Sequence, residues 1–203
     1  MDLIAAASIA ALAYLVGSIP AAYLVGRFAA GIDVRRAGEG NVGARNVFHE
    51  AGHGWGLLVF AVDFAKGAAV ALPFREGPVW RPAVAVTFLI IGHAYPVWLR
   101  FVGGKGLAAA GGFMAALMPG AVLIGGAVSG PVWLRTRRFL PTLVTATVVS
   151  FAAAALLRVS WTHMALALAG FLLVAAKRAL DEPRMRRIEA ETGWDRAHGG
   201  TGR

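Results

Sequence analysis

The 203 residues contain no cysteine, which excludes structural disulfides, thiolate metal sites and cysteine nucleophiles. Charge is scarce too: Asp, Glu, Lys and Arg make up 15% of the chain, against about a quarter in a typical soluble domain. Polar stripes at helical spacing are missing from the long apolar runs, so these do not read as the buried faces of a soluble bundle. What fills the chain instead is hydrophobic residue, 58% of the total, with a mean hydropathy of +0.63. Residues 3–25 carry no charge over a length that can cross a hydrocarbon core of roughly 30 Å. Asp2 stands where a secretory signal has a basic leader, and the run exceeds a signal core of roughly 7–15 residues, so it reads as a retained helix. The composition implies an all-α, polytopic integral membrane protein of the cell membrane.

Apolar stretches occur at about 3–25, 54–74, 79–99, 106–134, 139–157 and 159–176. The fourth is long for one crossing and has Pro119-Gly120 near its middle. Divided there, it gives about seven transmembrane helices, with the N-terminus outside and the C-terminus cytoplasmic. That arrangement places 16 of the 20 Lys and Arg residues on one side, leaving Arg75, Arg81 and Arg158 on the other and Lys66 within a span. A single helix over 106–134 would carry the last two basic groups outside, against the positive-inside rule. The chain thus reads as one transmembrane domain over residues 1–180 and a basic cytoplasmic tail over 181–203. That tail is expected to be a solvated anchor on the anionic leaflet, helical to about Ala190, with a disordered HGGTGR end. The net charge of +9 is distributed between apolar runs, which fits orientation against anionic lipid and not a nucleic-acid partner.

Three polar features fall on or beside the basic side. Residues 33–46, DVRRAGEGNVGARN, combine Gly38, Gly40 and Gly43 with the donors Asn41, Arg45 and Asn46, a composition suited to holding an anion or to a charged connector. Residues 92–106, GHAYPVWLRFVGGKG, end in Gly103-Gly104-Lys105-Gly106 at the start of an apolar helix. Backbone N–H groups, the positive end of a helix and an ammonium together make a phosphate site. The Walker A spacing and its hydroxyl are absent. His93 in this segment is either an interfacial hydrogen-bonding residue or a participant in chemistry. Asp63 and Lys66, three apart within a span, share a helix face and are expected to pair, either bracing the helices or positioning a neighbouring loop.

Taken in order, GSIP at 17–20 with Arg27, GEGNVGARN at 38–46, DFAKG at 63–67 and GHAYPVWLRFVGGKG at 92–106 resemble the bacterial acyl-phosphate:glycerol-3-phosphate acyltransferases. The resemblance is strongest over roughly residues 13–110. It implies an integral membrane enzyme that moves a fatty acyl group from acyl phosphate to glycerol 3-phosphate, giving lysophosphatidic acid, with no metal or cofactor. Its substrates would be acyl phosphate and glycerol 3-phosphate, and its surroundings the lipid bilayer. Lys105, His93 and Asn41 carry over as candidate catalytic residues. Gly40, Gly43, Arg45, Asn46, His49, Gly103, Gly104 and Gly106 carry over as candidate substrate contacts.

Several positions depart from the family pattern. Glu39 stands where the family has serine, Arg45 where it has threonine and His49 where it has arginine. Phe139-Leu-Pro-Thr142 replaces an aromatic-x-Ser-x-x-Ser pattern, and the last helix lacks the histidine and asparagine of an RHxxNIxRL segment. The opposite charges of Glu39 and Arg45 predict an ion pair in place of a hydroxyl-lined pocket. Two alternatives therefore stay open: a divergent relative with another acceptor or none, and a small membrane transporter or lipid-binding protein using Asp63 and Lys66. A CoA-dependent mechanism with aspartate five residues after histidine is excluded, because Gly54, Leu58, Trp98, Leu168 and Arg203 occupy those positions.

Overall fold

The computed structural model describes residues 2–194, together with the backbone but not the side chains of Phe139 and Leu140. Arg196, Arg203 and the HGGTGR end, which entered the charge count and the reading of the tail, lie outside the described residues. The described chain is all helical: α1 Leu3–Gly17, α2 Ala21–Ala30, α3 Ala44–Glu50, α4 His53–Ala71, α5 Trp80–Ala94, α6 Leu107–Leu117, α7 Pro119–Thr136, α8 Phe139–Leu156 and α9 Trp161–Thr192. Four helical segments are long and apolar enough to cross a membrane: Leu3–Ala30, His53–Phe74, Trp80–Leu99 and Trp161–Thr192. Large apolar side chains such as Leu12, Leu123, Val148 and Leu172 face outward, while Asp63, Lys66, His93 and Lys177 are buried. That is the distribution a lipid solvent selects.

The run at 3–25, expected as one helix, is broken. Asp2 caps α1 by accepting from the Ile4 N–H at 3.0 Å. The helix stops at Gly17, because Pro20 has no N–H and its ring disfavours helical backbone before it. A break at membrane depth leaves carbonyls without partners, and in lipid these must be satisfied by protein. Lys66 does this: its ammonium donates to the Gly17 carbonyl at 3.0 Å and the Ile19 carbonyl at 3.1 Å. The same ammonium lies 2.9 Å from Asp63 Oδ1, so the expected Asp63–Lys66 pair forms and caps the broken helix as well.

The stretch at 106–134 is two helices, α6 and α7, parting at Met118 just before Pro119. Helices approach closely where glycine removes the side chain. Gly67 of α4 lies against the Ala109 carbonyl of α6, and Gly112 of α6 against the Phe64 carbonyl of α4. Gly17 and Gly92 join α1 to α5 in the same way. Leu89 and Phe113 fill the centre of the resulting core. A second cluster of Val34, Val42, Val47, Val59 and Leu99 underlies the loop between α2 and α3.

The last helix corrects the expected tail. With 32 residues, α9 is about 48 Å long, well beyond a hydrocarbon core of roughly 30 Å. It runs without interruption through residue 180, and one face of its end is packed while Pro183, Arg186, Arg187 and Glu191 stay exposed. Thr192 Oγ1 donates to the Gly38 carbonyl at 2.8 Å, and Ile188 sits against Gly40. Met185 and Trp194 are each 5% exposed.

Candidate active site

The α2–α3 loop is organised by Asn46 at the start of α3. Its side-chain Nδ2 donates to the carbonyls of Val34, Ala37 and Asn41 at 2.9, 3.0 and 3.1 Å, and its Oδ1 accepts from the Glu39 N–H at 3.2 Å. Asn46 is fully buried, and these four bonds tie both ends of its carboxamide to the loop backbone. The resemblance implied a substrate contact here; the geometry makes Asn46 the staple of the loop. Gly40 has φ +65°, and a Cβ there would run into Ile188, so conformation and close approach both require glycine. Gly43 donates its N–H to the Asn41 carbonyl at 3.0 Å and lies beside the Asn41 amide. Asn41 is itself buried, and its Oδ1 has no hydrogen-bond partner. A buried acceptor in that condition costs about 1–3 kcal/mol unless something donates to it.

The Gly-Gly-Lys-Gly turn folds back over the end of α5. Gly103 and Gly104 donate their N–H groups to the Ala94 and His93 carbonyls, each at 3.1 Å. These two amides cap α5, so the turn offers fewer free donors than its composition implied. Gly106, at φ +86°, caps α6 and frees the amides of that helix's first turn. Gly104 is pressed between the Val42 carbonyl and the His93 imidazole, where a side chain has no room. His93 is buried under this turn, with Nδ1 3.9 Å from Asp63 Oδ1. Imidazole, Asp63 and Lys66 thus form a buried column running from the turn to the break in α1.

Lys105 emerges from the turn toward Glu39. The Glu39 carboxylate, 2% exposed, meets Arg45 Nη1 at 3.3 Å and Lys105 Nζ at 3.9 Å through the same oxygen, Oε2. The ion pair expected from the two departures forms, and Lys105 is a third member of it. Burial holds the Lys105 ammonium below the usual lysine range; Glu39 opposes that shift, Arg178 and Arg45 add to it, and Asp181 opposes it. Arg45 also lies 6.0 Å from the Trp194 ring centroid. His49 packs edge-on to Trp194 at 5.1 Å, joining α3 to the end of α9.

Two charged residues at this centre escaped the sequence reading: Arg178 and Asp181 of α9, whose charges both act on Lys105. Lys177 donates to both oxygens of Asp181, at 2.6 and 2.7 Å, and stands over the Tyr95 ring at 4.6 Å. The signal was present as the spacing Lys177-Arg178-x-x-Asp181-x-x-Arg184-Met185. It matches RHxxNIxRL in register, with Arg178 under the histidine and Asp181 under the asparagine.

A bundle with apolar faces outward, a lysine-capped broken helix, and cationic side chains gathered around a glycine turn at one end defines an integral membrane protein with a cationic centre. The family model described as glycerol-3-phosphate acyltransferase matches residues 7–185, and the chain belongs to that family. It is 50% identical over 110 residues to glycerol-3-phosphate acyltransferase 2 of Dehalococcoides mccartyi, covering 53% of this chain and 52% of the relative. It is 43% identical over 127 residues to the Synechococcus elongatus glycerol-3-phosphate acyltransferase, covering 58% and 60%. The Bacillus subtilis glycerol-3-phosphate acyltransferase is 44% identical over 109 residues, covering 53% and 56%. The matched segments thus span little more than half the length of these curated relatives. In three dimensions the chain resembles PlsY, an integral membrane glycerol 3-phosphate acyltransferase, in its glycerol 3-phosphate form. The TM-score is 0.74 and the identity 30%, over 93% of both chains. The lysophosphatidic acid form of PlsY gives a TM-score of 0.72 and 29% identity over the same shares.

Proposed function

We propose that this protein transfers a fatty acyl group from acyl phosphate to glycerol 3-phosphate, forming lysophosphatidic acid and inorganic phosphate. The observation that carries the reading is the convergence of Lys105 and Arg45 on one buried carboxylate oxygen of Glu39, at 3.9 and 3.3 Å. Two cations that hold a carboxylate oxygen in this way can hold a phosphate oxygen. In the reaction the acceptor hydroxyl oxygen bonds to the acyl carbon, the acyl carbon–phosphate oxygen bond breaks, and the departing phosphate takes the hydroxyl proton. Lys105, with Arg45 and Arg178 beside it, neutralises phosphate charge. The unpartnered Oδ1 of Asn41 accepts from the acceptor hydroxyl and orients it. His93 supports the Gly103-Gly104 turn from below, and Gly40, Gly43 and Gly106 keep the backbone close to the ligands. Acceleration then rests on proximity and on electrostatics that are in place before the substrates bind.

The arrangement in the membrane is proposed with it: seven crossings, N-terminus outside, and the Lys105 loops and the C-terminus in the cytoplasm. With 11 residues, α6 is about 16 Å long, so the turn that feeds it reaches below headgroup level. There it can meet an acyl donor arriving from the bilayer and an acceptor arriving from water. Glu39 favours a second reading of the acceptor. A buried carboxylate already on both cations competes with any phosphate, and such a pocket suits a less highly charged alcohol. Purified protein supplied with palmitoyl phosphate and either glycerol 3-phosphate or glycerol decides between the readings. Lysophosphatidic acid as the main product supports the first, monoacylglycerol supports the second, and no product from either overturns both.

A further inference from the structure

The α2–α3 loop and the turn after α5 also border a groove of about 590 Å³ whose lining includes none of Glu39, Arg45 and Lys105. Its walls include Tyr23, Arg35, Arg36, Trp98, Arg100 and Arg184. Of the four guanidinium groups, only Arg35 is closely neutralised, by Asp33 at 2.6 Å, and it is fixed over the Tyr23 ring at 5.0 Å. Arg184 reaches no nearer than 3.9 Å to Asp181, a carboxylate already held by Lys177, and its buried Nη2 makes no hydrogen bond. Arg36 and Arg100 have no ion pair among the described residues. The groove therefore carries an excess of positive charge from planar, forked donors, the type that meets phosphate oxygens in pairs.

Its rim is apolar and aromatic. Trp98 is 62% exposed at the end of the apolar segment Trp80–Leu99, and Leu99 and Val102 join it in the lining. Aromatic side chains at such ends mark the headgroup level of a bilayer. Arg100 and Phe101 have φ of +53° and +62°, the left-handed region that non-glycine residues adopt only where the surroundings hold them. This turn brings Trp98, Arg100 and Val102 together in the lining of the groove. A soluble phosphate would use the charge and leave the exposed Trp98 ring idle; a phosphate attached to acyl chains uses both.

We infer that this groove binds the phosphate headgroup of an anionic phospholipid from the surrounding leaflet, at a site separate from the Glu39–Lys105 centre. The inference rests on membrane embedding and not on acyl transfer. Its test is the thermal midpoint of delipidated protein in neutral detergent, titrated with phosphatidylglycerol, phosphatidylcholine or inorganic phosphate. Phosphatidylglycerol should raise the midpoint saturably, and the other two should not. In R36Q/R100Q the concentration for half the effect should rise ~20-fold or more, each lost arginine contributing about fivefold. Arg100→Gln alone, at an exposed position, should raise it about fivefold. Acyl transfer by these variants in neutral detergent should keep the wild-type kcat and KM. A midpoint response that survives R36Q/R100Q or Arg100→Gln overturns the site. An equal response to phosphatidylcholine or to inorganic phosphate overturns the lipid headgroup as its occupant. A fall in kcat overturns its separation from the reaction centre.

Discussion

Lys105 is a cation in a largely buried setting, held on one side by Glu39 and on the other by a turn that cannot move without displacing His93. Lys105→Ala is expected to abolish acyl transfer while leaving the thermal midpoint within a few degrees of wild type. Lys105→Arg should restore it only in part, because a planar fork does not reproduce a point charge. Near-normal turnover by the alanine variant would reduce the turn to a connector. The depressed Lys105 pKa gives this a pH dependence. The residue works as a cation, so kcat/KM should fall on the alkaline side as pH rises through a value below the ordinary 10.5. Glu39 opposes the depression, so Glu39→Ser should move that alkaline limb to still lower pH; a limb that stays put would mean Lys105 is not the titrating group. Glu39→Ser also leaves Arg45 and Lys105 without their resident anion, and should lower the KM for glycerol 3-phosphate. Adding Arg45→Thr should raise activity toward that acceptor above wild type. Unchanged kinetics in both variants would mean the pair does not define the acceptor pocket.

At the scale of elements, two contacts matter most. The first is between α9 and the α2–α3 loop, where Ile188 fills the space that Gly40 leaves and Thr192 reaches the Gly38 carbonyl. Ile188→Asp places a charge on that seam and should raise KM at least tenfold with little change in the helical signal. Unaltered kinetics would show that the end of α9 is only a neighbour. The second is the α4–α6 glycine exchange, where Gly112→Ala overpacks against the Phe64 carbonyl at a cost of ~1–3 kcal/mol, read as a lowered thermal midpoint. Sequence and structure part company at this scale for identifiable reasons. The division of α6 from α7 was legible because Pro119 and the charge pattern agreed on it. The break after Gly17 was not, because one proline in an uncharged run is also compatible with a kink, and the lysine that stabilises the break is 49 residues away. The Lys105 turn was legible from local spacing. The bracing role of Asn46 was not legible, because its three carbonyl partners come from backbone that no side-chain pattern reveals. Arg178 and Asp181 were passed over because residue identity was compared where register carried the information, and the tail, helical to Thr192 where about Ala190 was expected, packs one face that composition did not reveal.

For the whole molecule, the proposed orientation follows from the basic loops. Reporter fusions should show a C-terminus accessible only from the cytoplasm and an N-terminus accessible only from outside; the reverse result, or both ends on one side, would undo the seven-crossing arrangement. The proposed orientation would bring a hydrophobic donor from the bilayer and a charged acceptor from the cytoplasm to the same short turn before α6. The most direct measurement of the central claim is simultaneous product counting by the purified protein, given acyl phosphate and glycerol 3-phosphate without added metal or CoA. The account predicts one lysophosphatidic acid formed for every inorganic phosphate released, with both signals absent in Lys105→Ala. Phosphate release without lysophosphatidic acid, or equal product from the alanine variant, would contradict it.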